Sequence, residues 1–88
     1  MAGLFSFAKF ALNVNATGDA NTFLNNAIYL NNANLENVPI EISRYGTLIV
    51  FAASTVHVVQ FYILATNVNK MYMRQITGGT WTEWSSIL

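Results

Sequence analysis

The sequence predicts a mainly β domain: small, antiparallel, with three to five strands, and assembled as an intertwined homotrimer. Runs of β-branched and aromatic residues bounded by turn formers fill the second half of the chain, which argues for strands. Eighty-eight residues leave room for one core and no second domain. Hydrophobic residues make up 53% of the chain and charged residues 9%, against about 25% charged in ordinary soluble domains. A chain this short would have to show much of that apolar surface to water, and burial against copies of itself is the simplest remedy.

Taken in order, residues 1–12 (MAGLFSFAKFAL) place Leu4, Phe5, Phe7, Ala8, Ala11 and Leu12 on one helical face. Phe5, Phe7 and Lys9 also fit a period of two, and a short N-terminal helix is the preferred reading. The stretch lacks a basic leader, carries Lys9 in its middle and falls short of the roughly 20 residues that span a bilayer, so neither a signal peptide nor an anchor is expected. Residues 1–18 are read as a connecting segment and 19–88 as the β-rich domain. Within the polar stretch from Asn13 to Asn26, Asp19 or Asn21 is placed to cap a short helical turn.

Ala27 to Leu30 (AIYL) reads as a short strand, and the Asn-rich stretch to Pro39 as a connection in which Pro39 disfavours helix at Val38. Thr47 to Ala52 (TLIVFA) and Val56 to Ala65 (VHVVQFYILA) are strands. The first shows no polar alternation, which implies cover on both faces, and in so small a domain the second cover is another subunit. Asn67 to Lys70 is a hairpin-type turn. Lys70 to Ile76 alternates Met71, Met73 and Gln75 against Tyr72, Arg74 and Ile76, the pattern of a half-exposed strand. Gly78-Gly79 permits positive φ and closes another turn, after which WTEWSSIL ends the chain as terminal strand or coil.

The order YGTLIVF, a strand carrying Gln60, then KMYMRQITGGTWTEWSSIL resembles the pyocin-knot type of domain in tail fibres of bacteriophages and phage-tail-like bacteriocins. The matching positions are Gly46, Gln60, Tyr72 with Arg74 two residues on, Gly78 and Gly79, and Trp81 with Trp84 in the spacing Trp-Thr-Glu-Trp. Upstream, DANTFLNNAIYL and NVP extend the similarity, which covers residues 19–88; the family commonly has a Gly where this chain has Ala27. The resemblance implies a β-rich, C-terminal module at or near the distal part of a homotrimeric fibre in the virion, a receptor-binding module that contributes to adsorption on a bacterial surface polysaccharide. The alternative is a purely structural module that registers and joins three chains while another domain binds.

Composition and motifs exclude most other classes. Four basic and four acidic residues give no net charge, hence no electrostatic footprint for nucleic acid or for an anionic membrane surface. Cysteine is absent, which removes disulfides, thiolate metal sites and thiol redox chemistry. Asp19, Glu36, Glu41 and Glu83 form no catalytic pair, and the serines Ser6, Ser43, Ser54, Ser85 and Ser86 lack a base and acid. His57 is the single histidine: three copies round a threefold axis could hold a metal, but a lone His in an apolar strand is read as structural. Gly78-Gly79 is followed by neither a helix nor a Gly-Lys pair, so it is no phosphate cradle. No enzyme activity, cofactor or metal is expected.

Eleven Asn and eight Thr replace the missing charge, so the polar surface is amide and hydroxyl. The candidate ligand-binding residues are aromatic with polar neighbours: Tyr72, Arg74, Trp81 and Glu83, a set on which a sugar ring can stack and hydrogen-bond. The competing reading makes Trp81 and Trp84 scaffold, with Arg74 stacked on an indole or paired with Glu83. The scaffold reading is the preferred one; Trp84 is expected to be scaffold, and Trp81 is the candidate exception as a ligand platform.

Overall fold

The computed structural model describes residues 10–39, 45–65 and 70–88. Four strands of six residues or more carry the fold: β3 (Ala27–Asn32), β5 (Tyr45–Ser54), β6 (His57–Leu64) and β7 (Met71–Thr77). They pair antiparallel, β3 with β5, β5 with β6 and β6 with β7. Short strands complete the sheet: β1 (Ala11–Asn13) lies parallel to β3, and β8 (Thr80–Trp81) and β9 (Ser85–Ser86) both pair with β7. A separate two-stranded bridge joins β2 (Gly18–Asp19) to β4 (Leu35–Glu36) in parallel. The mainly β expectation is met.

Two sequence expectations meet the structure at the N-terminal side. Ala11 and Leu12, placed on a helical face by the sequence, belong to strand β1 instead; the rest of that helix, residues 1–9, lies outside the described residues. The reason is tertiary: Ala11 N–H donates to the Asn26 carbonyl and the backbone runs along β3, pairing that periodicity alone does not reveal. β1 and the buried Ala16 thus attach the segment before residue 19 to the sheet. The cap at Asp19 forms as expected. Its carboxylate accepts the Asn21 N–H at 2.8 Å and starts a single 3-10 turn over Ala20–Thr22. The Gly78-Gly79 turn is also present, with φ of 60° and 84°, while the expected Asn67–Lys70 turn falls largely outside the described residues.

The sheet has two unlike faces. On one, Leu48, Val50, Val58, Tyr62 and Leu64 are buried beneath residues 16–24, 35–38 and 81–84, and these side chains make the core. On the other, register aligns Leu12, Ile28, Ile49, Phe61 and Met73 straight across five strands. Leu12 is 67% exposed and Phe51, two residues along β5 from Ile49, is 45% exposed; the other four are half-buried. Both faces of β5 are therefore apolar, as its unbroken sequence requires, but the described residues bury only one of them, Phe10 meeting Phe51 at the edge of the other. Gly46 is needed where it stands. A Cβ there would lie 2.6 Å from both the Ile63 carbonyl oxygen and the Tyr62 ring, so its absence lets Tyr62 close over β5.

Asparagine side chains hold the loops. Asn31, 2% exposed, accepts the backbone N–H groups of Asn34 and Leu35 on Oδ1 and donates to the Tyr62 hydroxyl at 2.9 Å. Asn26 accepts the Ala52 N–H at 2.7 Å, and Asn32 donates to Asn15. Buried backbone groups of irregular segments need partners, and a short amide supplies donor and acceptor without charge.

Candidate functional site

The polar centre of the buried face is Gln60 and Arg74, neighbours across β6 and β7. Gln60 is fully buried; its Nε2 donates to the carbonyls of Ala20 at 2.9 Å and Phe23 at 3.1 Å, and its Oε1 accepts from Arg74 Nε at 2.9 Å. Arg74 Nη1 donates to Asn21 Oδ1 at 2.7 Å. One glutamine and one arginine thus fasten the 3-10 turn, 40 and 53 residues away in sequence, onto the sheet.

Two tryptophans close over the guanidinium. Its central carbon lies 4.2 Å from the Trp81 ring centroid and 4.5 Å from that of Trp84, and a planar cation offers two faces for such contacts. Each indole is also pinned by its ring N–H, Trp81 to the Asn21 carbonyl at 3.1 Å and Trp84 to the Asn37 carbonyl at 2.9 Å. Trp84 further meets Tyr62 edge-on. The two tryptophans are therefore anchored alike, although the sequence reading assigns them different parts.

Burial lowers the Arg74 guanidinium pKa to about 10, with the nearby Asp19 carboxylate working in the opposite direction, so the group stays cationic at neutral pH. Asp19 itself is held below the usual carboxylate range, first by the Asn37 side-chain amide that donates to it at 2.7 Å, then by the Asn21 backbone N–H and by Arg74. Arg74 is 5% exposed, yet its buried Nη2 has no hydrogen-bond partner among the described residues.

Beside this stack lies a cleft of about 360 Å³, lined by Arg74, Trp81, Thr82, Glu83 and Trp84 together with Asn21, Asn37 and Val38. Of the four residues singled out by the sequence, the structure brings Arg74, Trp81 and Glu83 to one cleft. Tyr72 is elsewhere: 7% exposed, it packs in the core with Lys70 Nζ 5.7 Å from its ring centroid. Asn21 escaped the sequence reading as a site residue. Asn37 belongs to the Asn-rich stretch 31–37, whose uncharged amides suit hydroxyl partners, and with a φ of 62° it gives its carbonyl to Trp84 and its amide to Asp19. Among the described residues no cluster of three metal-ligating side chains occurs.

Comparison with known proteins agrees with this architecture. No curated protein matches the chain at a significant level. Among solved structures, the C-terminal part of the R1 pyocin fibre of P. aeruginosa superposes with a TM-score of 0.69 at 24% identity, over 88% of this chain and 21% of that one. An N-truncated R2-type pyocin tail fibre gives a TM-score of 0.71 at 22% identity, over 88% of this chain and 32% of the other. This chain thus has the fold of a module in those fibres and spans a third of their length or less. The family model for the XkdV N-terminal domain matches residues 9–87, nearly the whole chain and all of the sheet and stack described above. The pyocin fibres share the fold of this chain, and the family match over nearly its whole length shows that the chain belongs to the XkdV N-terminal domain family.

Proposed function

We propose that the chain is a structural module of a phage-type tail fibre, three copies of which register and join through the uncovered face of the sheet, as part of the virion tail. The observation that carries this reading is the apolar ladder Leu12, Ile28, Ile49, Phe61 and Met73, which runs across five strands and is flanked by the exposed Phe51. A sheet face of this composition gains roughly 25 cal/mol for each Å² of apolar surface it buries, so self-association is its natural resolution. The Arg74 stack supports the same role. Gln60 Nε2 and Arg74 Nε and Nη1 donate to the chain's own carbonyls and amides, which is how a scaffold holds loops in place.

Because the chain has no cysteine, one engineered thiol reports on the ladder. In Met73→Cys the rate of thiol labelling should fall as protein concentration rises through the assembly range, while a thiol at the exposed Thr80 keeps a constant rate. A concentration-independent rate at position 73 would refute assembly through this face. Adsorption to a bacterial surface polysaccharide is a second reading, favoured by the cleft at Trp81 and Glu83 on the opposite side of the sheet.

A further inference from the structure

We propose that Glu83 guards an edge of the sheet: it occupies a one-residue bulge in the strand that returns beside β7, and so keeps a second copy of this chain from adding to that edge, strand on strand. The inference is independent of assembly through the ladder, which uses a face of the sheet and not its edge.

The bulge is read from the register. Trp81 stands opposite Ile76 and Thr80 opposite Thr77, whereas Ser85 stands opposite Met73 and Ser86 opposite Tyr72. Between those pairs β7 has Gln75 and Arg74, while the returning strand has Thr82, Glu83 and Trp84. One residue is therefore extra, which is a β-bulge. Thr82 holds the pairing at its start: its N–H donates to the Gln75 carbonyl at 2.9 Å, and its hydroxyl accepts the Gln75 N–H at 3.1 Å in place of a backbone carbonyl.

The Arg74 clamp does not explain the extra residue. Side chains alternate along a strand, so residues three apart point to opposite faces. The bulge returns Trp84 to the side of Trp81, where both indoles meet the guanidinium. A strand one residue shorter does the same. Without Glu83, Thr82 stays opposite Gln75, Trp84 falls directly opposite Arg74, and the Ser85 and Ser86 pairs are unchanged.

The outer edge supplies a role. The returning strand runs beside β7 as far as Ile87, whose N–H donates to the Met71 carbonyl, and no strand among the described residues lies beyond it. An edge of this length, rich in Thr, Trp and Ile, is a template for a further strand. The opposite edge, β1, has three residues and offers few pairs. The chain as a whole gives little protection, with no net charge and 9% charged residues. Glu83 is the one charged residue between Thr80 and Leu88, it is exposed, and it lies within the bulge. When two copies of this edge pair antiparallel about their middle, the two Glu83 carboxylates come opposite one another and repel, and the bulges interrupt the hydrogen bonding. The partner held off is therefore the same edge of a second copy.

Deleting Glu83 tests both halves of the proposal. In 15N-labelled protein the two indole N–H resonances should keep their wild-type positions, because the clamp is retained. Sedimentation velocity should show species larger than the wild-type assembly, with self-association strengthened about a hundredfold. The Ser86 N–H points away from β7, since that of Ile87 points toward it, and its hydrogen exchange should slow at least about tenfold in the larger species. Glu83→Val, which keeps the bulge and removes the charge, should strengthen self-association about tenfold, and Glu83→Lys should leave it as in wild type. Displaced indole signals in the deletion variant would overturn the premise that the clamp does not need the extra residue. Wild-type mass in both the deletion variant and Glu83→Val up to about 1 mM, or larger species in which Ser86 exchanges as before, would overturn the guarding role. Loss of the ladder assembly alone, with these results intact, would refute the proposed function and leave this inference standing.

Discussion

Replacing Gln60 by leucine tests whether the Gln60–Arg74 pair is what fastens the loops to the sheet. Leucine is close to glutamine in volume and its burial gains about 1 to 2 kcal/mol, so any large loss must come from hydrogen bonds. Three are removed: two from Nε2, to the Ala20 and Phe23 carbonyls, and one from Arg74 Nε. Each group left without a partner costs about 1 to 3 kcal/mol, and more for the charged guanidinium. Allowing for water reaching the less deeply buried Phe23 carbonyl, the net loss is about 2 to 4 kcal/mol, a large part of the about 5 to 15 kcal/mol that a domain has to spare. Urea unfolding followed by tryptophan fluorescence at fixed protein concentration measures it, with Arg74→Met and the double variant completing a cycle. The cycle should show at least about 1 kcal/mol of coupling, since the second change removes the charge that the first left stranded. A loss below about 0.5 kcal/mol for Gln60→Leu, or additive single effects, would show that the pair is not holding the loops.

Gly46→Ala should destabilise by about 1 to 3 kcal/mol despite adding only a methyl group, because the new Cβ meets the Ile63 carbonyl and the Tyr62 ring; an unchanged urea midpoint would contradict that packing. Trp84→Ala should cost about 2 kcal/mol, less than a fully buried tryptophan, through loss of the Arg74 and Tyr62 contacts and the Asn37 hydrogen bond; a thermal melt within a degree of wild type would exclude a scaffold role. The folded-state pKa of Asp19 is lowered from 3.8, so its stabilisation is present above that value and is lost as pH falls through the folded pKa. Melting temperature should therefore fall less steeply in Asp19→Asn than in wild type below about pH 4, and parallel profiles would remove Asp19 from the account.

The long strands were legible because their residues are β-branched and aromatic and their ends are marked by Gly or Asn, a local signal. The Asp19 cap and the Gly78-Gly79 turn were legible for the same reason: each needs only neighbours in sequence. Which side of β7 faces the core was harder to read. Its alternation of Met71, Met73 and Gln75 with Tyr72, Arg74 and Ile76 names two faces without ranking them, and the structure buries Tyr72 and Arg74 and leaves the methionines half-covered. What makes a buried arginine tolerable comes from Asn21, Gln60, Trp81 and Trp84, partners that periodicity along one strand does not name. The same holds for β1 and for the β2–β4 bridge, whose parallel pairings join segments with no shared local pattern. Arg74, Trp81 and Glu83 could be grouped from sequence because a single tight turn separates Arg74 from the other two. Tyr72 was grouped with them by proximity in the chain, and the pleat then carried it into the core.

The claim on which the account rests is that the ladder is an interface between copies of this chain, and its mass in solution decides it. Sedimentation equilibrium at micromolar concentration should give three times the 9.8 kDa chain mass. Ile49→Lys, which places a charge at the centre of the ladder, should abolish that species. A single 9.8 kDa component for the wild-type chain over the whole concentration range would contradict the claim.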